Sequence, residues 1–138
     1  MSLLQRIDRP KPADCVRLQT RRAALNLFDP LRAEAEEVAA FAYLGPDWRL
    51  LGLRHARHGA TDSILLSMRD IAADAIAFGA AGVIMAHNHP SGDATPSIAD
   101  RDATRRIAQA LGTLHIRLIE HLVVSRNGCS SFRDLGLL

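Results

Sequence analysis

Two short apolar runs, Val38 to Leu44 and Gly82 to Ala86, restrict the fold of this chain more than any other feature of its 138 residues. Runs of this length suit strands buried on both faces. The second lies between two segments of helical pattern, so it reads as a central strand with helices packed over it.

The remaining elements follow from local signals. Leu31 to Glu37 is rich in good helix formers and reads as a helix leading into the first strand. Gly45-Pro46-Asp47 is a turn signal, and Trp48 to Leu53 resumes as the second arm of a hairpin, with His55, Arg57 and His58 beyond it. Arg69 to Phe78 places Ile71, Ala75 and Phe78 on one helical face, with Gly79 as the C-cap. Ser97 to Leu111 has a helical pattern and Ile116 to Val124 reads as a strand. Asn127-Gly128 then turns the chain toward a last short strand near Cys129 to Phe132. Residues 1–30 mix prolines with a polar-apolar run and read as a loosely packed N-terminal arm containing one short helix, which leaves 31–138 as a single α/β domain.

Composition narrows the class. With 48% hydrophobic residues the chain can bury a core without disulfide staples, and Cys15 and Cys129 lack the CxxC spacing of a thiolate cage. A reducing, cytoplasmic setting fits, because Met1 to Pro12 has no apolar signal region and no later stretch approaches a membrane span. The formal charge of +2 is spread along the chain, and pairs such as Arg21-Arg22 and Arg105-Arg106 read as solvated helix faces, so support for DNA binding is weak.

The chemistry gathers after the central strand. In His87-Asn88-His89 the alternation of extended backbone points both imidazoles the same way, and a Gly- and Pro-containing loop leads to Asp100, eleven positions after His89 and in the first turn of a helix. An HxH pair alone is more often chance than a site. Ser97-x-x-Asp100 alone reads as a capping-box variant, while Pro96 favours the first helical position, which would make Thr95 the cap and leave the Ser97 hydroxyl facing the loop. Two imidazoles and one carboxylate together match the three-ligand zinc sites that keep a fourth position for water.

His87-x-His89, seven intervening residues, Ser97, two more and Asp100 match the JAMM metalloprotease signature, and the wording HNHPSGDATPS resembles the RadC branch of the JAB/MPN family. The resemblance extends to Glu37, Arg69-Asp70, Glu120-His-Leu-Val-Val and Ser131-Phe-Arg-Asp, and covers residues 31–138. It implies an MPN/JAB-like, cytidine-deaminase-like α-β-α sandwich around a mixed sheet. It further implies one Zn2+ per chain held by His87, His89 and Asp100, with Ser97 steadying an oxyanion and Glu37 as general acid/base. Glu36 is the fallback for that last role, because Glu34, Glu36 and Glu37 cluster. The implied activity is zinc-dependent hydrolysis of peptide or isopeptide bonds, with a peptide or protein substrate and no membrane partner. A second copy of the chain is one partner the reading admits. The alternatives are a non-catalytic MPN binding module and a DNA-repair accessory protein, the latter lacking the helix-hairpin-helix region of longer relatives. His55, His58, His115 and His121 have no partner at ligand spacing and receive no role.

Overall fold

The computed structural model of the chain, which describes residues 4–8, 17–57 and 68–138, places both apolar runs at the centre of one six-stranded sheet. The strands are β1 (Leu4–Asp8), β2 (Val38–Leu44), β3 (Leu50–Arg57), β4 (Gly82–Asn88), β5 (Arg117–Ser125) and β6 (Gly128–Ser131), in spatial order β1-β3-β2-β4-β5-β6. All neighbours pair antiparallel except β4 and β5, which are parallel and joined by helix α3 (Ile98–Thr113). Helix α1 spans Arg21–Phe28 and α2 spans Met68–Phe78.

Every residue of β2 and of β4 is buried, because the sheet is covered on both faces. Ala39, Phe41, Tyr43, Val83 and Met85 pack with Ile71 and Ala75 of α2 and Ile107 and Leu111 of α3. Val38, Ala40, Ala42, Ile84 and Ala86 pack with Leu18, Ala24, Phe28 and Leu31 on the other face. The result is the expected α-β-α sandwich around a mixed sheet, and α2 ends as its sequence implied, with Gly79 at φ 65 in the left-handed region.

Three local expectations differ from the structure. The helix expected over Leu31 to Glu37 is absent. Helix α1 is the short helix expected within residues 1–30, and after it the chain forms only a short 3-10 helix over Asp29–Ala33, with Pro30 in its first turn, and then runs irregularly to Glu37. Tertiary contact overrides helix propensity here, since Asn88 takes the carbonyls of Glu34 and Glu36 as hydrogen-bond acceptors. Residues 18–30, read as part of a loosely packed arm, join Leu31 in one wall of the core through Leu18, Ala24 and Phe28, and β1 adds an edge strand to β3. The second strand starts at Leu50 rather than Trp48, which stays in the turn at φ 67, and it continues through His55 to Arg57.

Cys15, His58 and the stretch 63–67 lie outside the described residues. Among those described, no helix is long and apolar enough to cross a membrane.

Candidate metal centre

The two periodicities of the fold bring four polar side chains to one place. Along β4 the alternation that sends Val83 and Met85 toward α3 continues to His87, and along β2 the phase of Phe41 and Ala39 continues back to Glu37. On α3 the buried stripe Leu111, Ile107 and Thr104 begins at Asp100, in the first turn. The apolar seam between sheet and helix therefore ends in His87, Glu37 and Asp100, and the loop after β4 adds His89.

His87 Nε2 and His89 Nε2 lie 3.0 Å apart. Each approaches the same Asp100 oxygen, Oδ2, at 3.3 Å and 3.1 Å respectively. Glu37 Oε1 stands 3.9 Å from His87 Nε2, and one ligand atom from each of the four residues fits within a 4.8 Å span. Ligands at the usual zinc distances occupy tetrahedron corners about 3.3 Å apart, so the two imidazoles and Asp100 fit three corners of such a site. His89 donates its Nδ1–H to the carbonyl of Asp93 at 2.8 Å, which leaves its Nε2 lone pair aimed at the shared point. Side-chain exposure rises from 1% at His87 and 8% at Asp100 to 15% at His89 and 35% at Glu37, so the cluster opens to solvent on the Glu37 side.

The Asp100 carboxyl is pulled two ways. Burial pushes its pKa up, but the adjoining His87 and the Ser97 hydrogen bonds outweigh burial and hold the group well below the usual carboxylate range. The cap is Ser97: its Oγ accepts from Asp100 N–H at 3.0 Å, and its own N–H donates to Asp100 Oδ2 at 2.9 Å. The alternative Thr95 cap is not formed, because Thr95 donates its N–H and hydroxyl to Asp93 Oδ1 in a local turn. Ser97 Oγ thus accepts within the capping box but keeps its own proton, and Ser97 is exposed.

All five expected residues converge: Glu37, His87, His89 and Asp100 form the cluster, and Ser97 caps the helix that carries Asp100. Glu36 is exposed and is not part of this cluster, and its backbone carbonyl accepts from Asn88 at 2.9 Å. The choice of Glu37 over Glu36, made on the resemblance, matches the placement of Glu37 in the cluster.

Two residues without a sequence-stated role support the cluster. Asn88, buried between the two histidines in sequence, accepts from Val38 N–H at 2.6 Å and donates to the Glu34 and Glu36 carbonyls, fixing the backbone on both sides of Glu37. His121 of β5 is fully buried, with Nε2 2.7 Å from His87 Nδ1, Nδ1 2.6 Å from Thr104 Oγ1, and its ring stacked on Phe132. Burial holds the His121 pKa well below the ordinary histidine value. No spacing in the sequence announces His121, because its partners lie on β4 and α3.

An α/β sandwich with imidazoles and carboxylates gathered at the end of its central strand defines a protein with a candidate metal centre. The chain belongs to the RadC-like JAB domain family, whose pattern it matches over residues 18–137. It is 42% identical over 108 residues to a UPF0758 protein of Cellvibrio japonicus, an alignment covering 78% of this chain and 48% of that protein. Over 102 residues it is 41% identical to a UPF0758 protein of Thermotoga maritima, with 74% of this chain and 46% of the relative covered. A UPF0758 protein of Aeromonas salmonicida is 41% identical over 110 residues, covering 80% of this chain and 50% of the relative. The chain therefore spans about half the length of these curated relatives, whose names assign no activity.

Proposed function

We propose that this domain is a zinc-dependent hydrolase that cleaves peptide or isopeptide bonds. The observation that carries the proposal is the meeting of His87 Nε2, His89 Nε2 and Asp100 Oδ2 within 3.3 Å of one another, with Glu37 beside them on the solvent side. His87, His89 and Asp100 would hold a zinc ion, which would lower the pKa of a bound water to about 7 and polarise a substrate carbonyl.

The other steps belong to the chain's own residues. Glu37, half-exposed at the mouth of the cluster, takes a proton from the attacking water and returns it to the leaving amine. The Ser97 hydroxyl, still holding its proton, donates toward the carbonyl oxygen as negative charge develops there. Asp100 stays ionised throughout, because the Ser97 N–H donates to its carboxylate and favours the charged form.

Elemental analysis of purified protein tests the reading. Wild type is expected to carry about one zinc per chain, as a three-ligand site does. His89→Ala loses the metal. Glu37→Gln keeps it, yet loses turnover of a peptide or isopeptide library by roughly 10²- to 10⁴-fold, the usual contribution of a general base. A wild-type protein that takes up no zinc would replace the hydrolase reading with the non-catalytic binding module.

A further inference from the structure

We propose that Thr104 and His121 form a hydrogen-bond relay that sets the tautomer of His87, so that its Nε2 lone pair faces the other ligand atoms. Both are positioning residues, and the use of the relay in metal binding rests on the zinc reading above.

The direction of each bond follows from the one that cannot reverse. The Asp100 carbonyl oxygen has lone pairs only, so the Thr104 hydroxyl donates to it, at 2.6 Å. That spends the single hydroxyl proton. Toward His121 the Thr104 oxygen can then only accept, so His121 carries its proton on Nδ1, 2.6 Å away. A neutral imidazole protonated at Nδ1 is bare at Nε2, and it accepts from His87 Nδ1–H across 2.7 Å. His87 is left bare at Nε2, the atom 3.0 Å from His89 Nε2 and 3.3 Å from Asp100 Oδ2.

Phe132 keeps the His121 ring in place by stacking on it, with centroids 4.3 Å apart. The chain of bonds begins on the backbone of one proposed ligand, Asp100, and ends on the ring of another, His87. It ties the first turn of α3 to the end of β4 through β5. Sulfur and carboxylate partners are absent from the relay, so His87 is oriented by a neutral acceptor, which leaves the imidazole a weaker electron donor than a carboxylate partner would make it.

Residue-assigned 15N NMR of chelator-treated protein reads the tautomers directly, without metal or substrate. His87 and His121 are both expected as the Nδ1–H form. Thr104→Val keeps the shape of the side chain and removes the hydroxyl. It is expected to shift His87 toward Nε2–H and to weaken zinc binding about 10- to 100-fold, the usual effect of losing a partner of a liganding histidine. Thr104→Ser restores the hydroxyl, and with it the wild-type tautomer and near wild-type zinc affinity, while circular dichroism verifies that both variants fold. If Thr104→Val leaves His87 as Nδ1–H, the relay does not set the tautomer and the proposal is overturned. If wild type shows the expected tautomers, Thr104→Val shifts them, and neither protein binds zinc, the relay stands and the metal reading fails instead.

Discussion

On the sheet face that packs against α2 and α3, two buried polar clusters sit at opposite ends of β2 and are built on different principles. Around Asp74 the account is closed. Arg54 meets its carboxylate with two nitrogens at 2.6 Å and 2.5 Å, and the Tyr43 hydroxyl adds a third contact at 3.1 Å. Burial, then the Asp74 charge, pushes the Tyr43 pKa far up, so the phenol remains a donor. Around Asp100, among the described residues, no guanidinium or ammonium forms an ion pair, and one ligand atom from each of two imidazoles and two carboxylates lies within 4.8 Å of the others. Both clusters contain a buried aspartate, so burial of charge does not separate a structural lock from a candidate site. The convergence of lone pairs does.

The largest effect that would sharpen this contrast comes from the metal. At zinc concentrations about 1,000 times its Kd, wild type is expected to gain about 4 kcal/mol of stability, lost on chelation and missing in Asp100→Ala. Urea unfolding with and without chelator reads it. In chelator-treated protein the order reverses. Asp74→Ala removes the two-pronged partner of Arg54, leaving only the weaker influence of Asp70, and is expected to cost about 3 kcal/mol, whereas Asp100→Ala removes a capping contact and costs about 1 kcal/mol. Equal costs would erase the distinction between the clusters.

Asn88 offers a test of intermediate size. Asn88→Ala orphans Val38 N–H and the two carbonyls it now serves, and is expected to cost about 2 kcal/mol. It should also lower turnover by displacing Glu37 while zinc content holds. Unchanged turnover would show that the backbone around Glu37 holds itself.

The smallest effect is a pH slope. His121 has a depressed pKa when folded, so below the ordinary histidine value the unfolded chain binds a proton that the folded chain refuses. Stability should be unaffected by this group above about pH 6.5, and should fall by about 1.4 kcal/mol per pH unit as pH drops below it. In chelator-treated His121→Gln that component is expected to vanish, leaving a shallower slope. An identical slope in the variant would assign the acid sensitivity to other groups. Among the described residues, the bonds to Asp74 come from Arg54 and Tyr43, so that cluster should not contribute to it.

Most of the cluster could be read before the fold was known. His87, His89, Ser97 and Asp100 lie within fourteen consecutive positions, and a strand followed by a Gly-containing loop and a helix start brings them together by local geometry. The loop needs Gly92 at φ 93 for its return, and the sequence has glycine there. Glu37 was legible through the resemblance, with Glu36 as its fallback, and the structure puts Glu37 in the cluster. The helix expected over Leu31 to Glu37 failed for the opposite reason: local propensity was sound, but a side chain fifty residues away, Asn88, holds the segment open.

The sequence by itself determined which strands are central, where the turn at Gly45 to Asp47 falls and which side chains converge after β4, because these depend on patterns only a few residues long. Tertiary structure alone decided the role of His121. The β4–β5 register shifts between the Val83–Leu118 and Ile84–Glu120 pairs, so Ile119 is skipped and the phase of β5 inverts. Without that irregularity, Leu118 and Glu120 would share a face and His121 would point away from α3. With it, His121 joins Met85 and His87, and Glu120 turns the other way to bind Ser131 and Arg133. A one-residue shift between two strands is a property of the pair, and neither strand's sequence contains it.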